Sequence, residues 1–214
     1  MRPHILSRRE LILGGASAIA AAALPLDAMQ AGGVPDAIPV SRRSRPGSGR
    51  AAWMQDSRYC FGVMTHYLAD WQAHDHKLQM NVDLWNKLID GFDVEGMASR
   101  LESVGAGHYQ ISIGQNSGYY LSPNAAYDRI TGIRPSKCSH RDLVSDFYEP
   151  LRRRDIKLMV YLPSGAPAGD ATAVAALEWS NGPHPNKAFQ AKWQQVIAEW
   201  STRWGSKVSG WWFD

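Results

Sequence analysis

The sequence predicts an α/β fold, the N-terminal half of a (β/α)8 TIM-type barrel with about four βα units. Three observations carry this expectation. Four apolar segments recur with centres roughly 50 residues apart, and with no hairpin signal between them each needs a crossover connection. Amphipathic helical patterns fill the connections. The segments that follow the strands are long, whereas the helix-to-strand turn Val104-Gly105-Ala106-Gly107 is short. Elaboration of one end only is the habit of a barrel whose site is built from its βα loops.

The first strand is expected over 59–66 (Tyr-Cys-Phe-Gly-Val-Met-Thr-His), with Cys60 near its start. The second covers 108–113, the third 156–162 before Pro163, and the fourth 207–213 before Asp214. Asp93 is the expected N-cap of a helix carrying Val94, Met97, Ala98, Leu101 and Val104, stopped by Gly105. Ser139 is the expected cap of a second, carrying Leu143, Val144, Phe147 and Leu151 and kinked by Pro150. Arg152-Arg153-Arg154 then reads as a solvated helix end. Phe189, Trp193, Val196, Ile197, Trp200 and Trp204 mark a third helix whose aromatic stripe belongs to the core. Residues 67–92, 114–138 and 163–185 are expected to be loops. A doubly wound sheet is the competing architecture, but no Gly-x-Gly-x-x-Gly loop follows the first strand. A barrel closes with eight strands, so the 214-residue chain is expected to be a fragment.

Before the barrel, Ser7-Arg8-Arg9-Glu10-Leu11 and the Ala-rich run to Leu24 have the form of a twin-arginine export signal over 1–31. The apolar run is shorter than the about 20 residues a membrane span needs. A periplasmic or extracellular location follows. Residues 32–50, rich in Gly, Pro and Ser, read as a flexible linker, and the folded domain is expected over 51–214. The net charge of +3 is misleading, because the seven Arg of residues 1–50 leave 16 of the 23 basic and 17 of the 20 acidic residues beyond them. Nucleic acid is therefore excluded as a partner. Cys60 and Cys138 make no disulfide framework, and the fold places them too far apart to pair.

The carboxylate that closes the chain is the leading candidate for chemistry. Ser209-Gly-Trp-Trp-Phe-Asp214 reads as a buried strand ending on an acid. In a barrel that position lies on the face where the site is built; its alternative is a helix N-cap. Trp211 and Trp212 beside it suit a sugar, whose apolar face packs on aromatic rings. A metal hydrolase built on His74-x-His76 with Asp75 and either His66 or His108 is a weaker alternative, since those loop histidines lie beside Lys77 in a polar segment. Ser164-Gly165 lacks the Gly-x-Ser-x-Gly context of a nucleophile elbow, and no P-loop or heptad repeat is present. No cofactor or metal is expected.

An ordered set of motifs resembles the α-L-fucosidases of glycoside hydrolase family 29. Phe61-Gly-Val-Met-Thr-His66 is similar to their opening strand, and Phe92-Asp-Val-Glu-Gly-Met97 with Val104-Gly-Ala-Gly-His-Tyr109 to a helix and strand that follow. His140-Arg-Asp-Leu-Val144 with Ile156-Lys-Leu-Met-Val-Tyr161 resembles their Arg-Asp-Leu-Val helix and next strand, and Trp212-Phe213-Asp214 their Trp-Phe-Asp. The set covers most of residues 53–214 in the right order. It implies a retaining glycosidase that uses a glycan or glycoside as substrate, with Asp214 as nucleophile. The acid/base lies after the nucleophile in that family, hence beyond this chain. His66 corresponds to a sugar-binding His, with a structural His as the alternative. Trp212 would pack near the sugar or into the barrel core, and Tyr161 or Leu162 would fill the slot of a family Tyr near the nucleophile. Where the family has two His after its second strand, Gln115 and Asn116 stand here. Their amides can still hydrogen-bond sugar hydroxyls but cannot carry a proton as imidazole does. That exchange puts fucose itself in question, leaving a related deoxy-sugar, or a non-catalytic glycan-binding barrel, as alternatives.

Overall fold

Four parallel strands pair in the order in which they occur, β1 (Gly62–Thr65), β2 (His108–Ser112), β3 (Lys157–Leu162) and β4 (Gly210–Phe213). The computed structural model describes residues 51–180 and 186–214, all within the compact unit Ser44–Asp214. The export signal expected over 1–31 and the linker over 32–50 lie outside the described residues. Between β1 and β2 stand α1 (Ala69–Asp75), α2 (Val82–Asp90) and α3 (Val94–Ser103). Between β2 and β3 come α4 (Ala125–Thr131) and α5 (Leu143–Arg152), and between β3 and β4 come α6 (Ala171–Leu177) and α7 (Lys187–Trp204). A parallel sheet in unreversed chain order, with helices in every crossover, is consistent with part of a (β/α) barrel. A doubly wound sheet would reverse its strand order.

The central strands β2 and β3 are buried along almost their whole length, while β1 and β4 stay half-exposed. Pleating divides their side chains between two faces. One face carries Tyr109 and Ile111 of β2 with Ile113 just beyond it, Leu158, Val160 and Leu162 of β3 and Trp211 of β4. All of these join the hydrophobic core with Leu143, Val144 and Phe147 of α5 and the aromatic stripe of α7. Trp200 and Trp204 stack at 6.0 Å with their planes 6° apart, and Trp204 meets Trp211 at 5.5 Å. The expected α7 stripe is thus core, with Ile197 packed at its border.

Among the described residues, Asn or Asp caps six of the seven α-helices, each side chain accepting the N–H of a first-turn residue: Asn81, Asp93, Asn124, Asp142, Asp170 and Asn186. Asp93 caps α3 as expected, and Gly105 ends the turn at φ +72°, a conformation glycine adopts without strain. The cap of α5 is Asp142 rather than Ser139. The Ser139 hydroxyl instead donates to the Arg141 carbonyl at 2.7 Å, before the helix begins. The segments expected to be loops contain α1, α2, α4 and α6. α1, α4 and α6 turn few apolar side chains inward, whereas α2 buries Trp85 and Ile89 on one face; at seven to nine residues each is held by packing on its neighbours.

Two further expectations change. Cys60 does not start the first strand. It follows a 3-10 turn, Ser57–Tyr59, which tucks beneath the sheet as the Tyr59 hydroxyl donates to Asp155 at 2.7 Å. The arginines after α5 are not simply solvated. Arg154 bridges Glu95 and Glu102 of α3 at 2.5 and 3.0 Å with its own side chain only 14% exposed, and Arg153 reaches Glu95 at 2.9 Å. They lock α5 to α3. Both cysteines are free, Cys60 exposed and Cys138 buried. Among the described residues no helix is long and apolar enough to cross a membrane.

Candidate functional site

The face of the sheet opposite the core carries Met64 on β1, Gln110 and Ser112 on β2, Met159 and Tyr161 on β3, and Trp212 on β4, matched by the register Met64↔Gln110, Gln110↔Met159 and Tyr161↔Trp212. The same alternation brings His66, just past β1, and Asp214, just past β4, to this side. Towards the strands' C-terminal ends the face becomes polar.

Four of the residues singled out in the sequence meet there. The Tyr161 hydroxyl donates to Asp214 Oδ2 at 2.8 Å. The Gln115 side-chain amide Nε2 lies 3.2 Å from His66 Nδ1. The His66 ring stands edge-on to Tyr161, with centroids 5.2 Å apart and planes at 83°. Asp214 is tethered at its backbone as well: its N–H donates to the Leu162 carbonyl at 3.4 Å, and its main-chain oxygen accepts from the Ser164 N–H and hydroxyl, each at 2.7 Å. The carboxylate thus has one oxygen anchored. Among the described residues, Oδ1 makes no hydrogen bond.

Each member is placed by local structure. The Gly118 N–H donates to the Gln115 carbonyl at 3.1 Å, closing a four-residue turn directly after β2, with Gly118 at φ +75°. A Cβ at Gly118 would approach Asp170 Oδ2 to 2.9 Å, so position and backbone both require glycine there. The neighbouring loops clamp this turn. Gly169 N–H donates to the Asn116 carbonyl at 2.8 Å, and Lys137 Nζ pairs with the buried Asp170 at 2.6 Å. Burial pushes the Tyr161 phenol up from its ordinary value; its bond to Asp214 and that carboxylate's charge add to the rise, and a hydrogen bond from Gln115 opposes it. The phenol therefore keeps its proton and serves Asp214 as a donor.

Other expected residues take different places. Leu162, the alternative to Tyr161, is fully buried in the core and points away from Asp214. Asn116 is exposed and engages its neighbours through its backbone oxygen, so its side chain does not join the cluster. Trp212 pairs with Tyr161 across the strands and is 52% exposed, while Trp211 turns to the core. His74 and His76 are exposed at the far end of α1, and no group of metal-binding side chains occurs among the described residues. One neighbour went unnoticed in the sequence: Trp71 of α1, 54% exposed, tilts against His66 at a centroid distance of 5.8 Å. It lies five residues past His66, inside a segment read as loop, and only its aromatic character marked it.

No protein-family model matches the chain, and no curated protein does. Solved structures do. An α-L-fucosidase of family GH29 from Bacteroides thetaiotaomicron, trapped as a covalent intermediate with 2-fluoro-fucosyl fluoride, is 17% identical over 78% of this chain and 41% of its own, at a TM-score of 0.50. Another structure of a GH29 α-L-fucosidase from that organism is 18% identical over 72% of this chain and 38% of its own, at 0.45. The Thermotoga maritima α-fucosidase, with a mechanism-based inhibitor, is 16% identical over 67% and 34%, at 0.42. At such identities the likeness concerns the fold alone. The chain spans about two fifths of the length of the first structures it matches.

Proposed function

We propose that this chain carries the nucleophile side of a retaining exo-glycosidase acting on α-L-fucosides or a related deoxy-sugar glycoside. The observation behind it is Asp214, set at the C-terminal end of a parallel strand with Oδ2 held by Tyr161. The ordered motif set and the likeness in fold to an α-L-fucosidase support the substrate class.

In this reading Oδ1 of Asp214 attacks the anomeric carbon as the bond to the leaving-group oxygen breaks, giving a covalent glycosyl-enzyme that water then hydrolyses. Tyr161 steadies the carboxylate without taking its attacking oxygen. Its donated hydrogen bond also disperses the charge that Asp214 carries before attack and recovers when the intermediate is released. His66 and Gln115 line the glycone side, and Trp71 and Trp212 offer aromatic faces to apolar parts of the sugar. The second carboxyl group, needed about 5–5.5 Å from the first, belongs in this reading to a further βα loop of a longer protein.

A 2-deoxy-2-fluoro-α-L-fucosyl fluoride tests the nucleophile without that partner, because fluoride departs unprotonated. Asp214 oxygen bonds to the anomeric carbon, the carbon–fluorine bond breaks, and the ester accumulates. Intact-mass analysis should show one added glycosyl group, mapped to Asp214 by peptide sequencing and missing in Asp214→Asn. An adduct that persists in Asp214→Asn overturns the assignment. Saturable sugar binding with no adduct on the wild-type chain replaces it with the reading as a glycan-binding barrel.

A further inference from the structure

We infer that Gln115 is a positioning residue that holds His66 in the neutral tautomer bearing its proton on Nε2, so that the ring meets a ligand as a hydrogen-bond donor. A chain of donors and acceptors starts at Asp214. An ionised carboxylate only accepts, so the single proton of the Tyr161 hydroxyl is committed to Asp214 Oδ2 at 2.8 Å. The remaining capacity of that phenol oxygen is to accept, so the neighbouring Gln115 amide can meet it only with its nitrogen. The same Nε2 lies 3.2 Å from His66 Nδ1. An amide nitrogen only donates, so Nδ1 is the acceptor and carries no proton. A neutral imidazole then has its proton on Nε2.

A second histidine makes the contrast within the same sheet. His108 Nδ1 lies 2.8 Å from the Tyr59 carbonyl oxygen, which only accepts, so there Nδ1 carries the proton. Two histidines, one just past β1 and one at the start of β2, are thus set in opposite tautomers by one donor and one acceptor. Gln115 can enforce its half because its backbone is closed into the 115–118 turn and that turn is clamped by Gly169. A glutamate in its place would offer only acceptor oxygens and would draw the His66 proton to Nδ1.

The tautomer follows from hydrogen-bond chemistry; its effect on a sugar rests on the glycosidase reading above. There, a donor at Nε2 selects a glycone oxygen that accepts, and the exchange of imidazole for amide at position 115 confers a fixed polarity on His66.

Long-range proton–nitrogen NMR of the full chain at mildly alkaline pH decides the matter without any activity. His66 signals are assigned by their loss in His66→Gln, and those of His108 by their loss in His108→Gln. The expected wild-type spectrum has a bare Nδ1 and protonated Nε2 for His66 and the reverse for His108. In Gln115→Glu the His66 pattern inverts while His108 is unchanged. A wild-type His66 with its proton on Nδ1, or an even mixture, overturns the inference, as does a folded Gln115→Glu chain whose His66 pattern matches the wild type. The wild-type spectrum alone is decisive if the variant does not fold. Because no sugar is involved, a failed Asp214 labelling and a failed tautomer assignment remain distinct results.

Discussion

On the helix-covered face of the sheet, Tyr109, Ile111, Val160 and Leu162 are fully buried, and the polar tip among them, the Tyr109 hydroxyl, is paired with Thr65 Oγ1 at 2.6 Å. On the opposite face, one pleat away along the same strands, Met64 is 37% and Trp212 52% exposed, and polar groups gather where the strands end. Adjacent residues of one strand therefore serve different ends. Tyr161 anchors a carboxylate while Val160 and Leu162 fill the core. Period-two alternation makes the separation possible, since each face can change chemistry without disturbing the packing of the other.

If the two faces are separable, losses of chemistry and losses of stability should fall on different residues. The largest expected effect is Asp214→Asn, which should abolish glycosyl labelling while thermal melting stays close to wild type. A matching fall in melting temperature would show that the two faces are not separable. On the other face, Trp200→Ala removes a ring with no exposed surface whose Nε1–H donates to the Pro123 carbonyl at 3.1 Å. The cost should be about 3–5 kcal/mol in urea unfolding.

Asn124→Ala should cost less, about 2 kcal/mol by the same measurement. It removes a helix cap and the additional hydrogen bond that Asn124 Nδ2 donates to the Val196 carbonyl of α7 at 2.9 Å. Tyr161→Phe sharpens the contrast, because it alters only the exposed-face end of a buried side chain. Loss of one hydrogen bond to a charged group should slow Asp214 labelling about 10-fold, with stability nearly unchanged.

The smallest effect concerns acid. The hydrogen bond from Arg154, helped by its charge and that of Arg153, holds the Glu95 carboxyl below its ordinary value of 4.5. The unfolded chain binds that proton more readily. This contribution is therefore fully present above pH 4.5 and fades as pH falls through the lower folded-state value. Glu95→Gln should flatten the acid limb of a plot of melting temperature against pH, slightly and without effect at the Asp214 site.

The helices that were legible in the sequence are those with long inward stripes, such as α3 and α7, where Asp93 and the Trp193-Val196-Trp200-Trp204 spacing speak for themselves. The short helices α1, α2, α4 and α6 are harder to see in the sequence, although Asn81, Asn124 and Asp170 are readable as caps. A helix of seven or nine residues is too short to be stable alone, so its presence is a consequence of its neighbours. The same limit hid Trp71 and made Ser139 look like a cap.

The periodicities are legible in the sequence alone: four strands in parallel order, the inward stripe of α7, and a carboxylate at the tip of the last strand. These depend on residues near one another in the chain, where spacing translates directly into direction. Only the tertiary structure decided which side chains face Asp214. Tyr161 and not Leu162 reaches it, Gln115 and not Asn116 reaches His66, and Arg154 is drawn out of solvent between two glutamates. Each of these outcomes pairs groups some 50 residues apart, and such partners are chosen by sheet register and loop closure rather than by any local propensity.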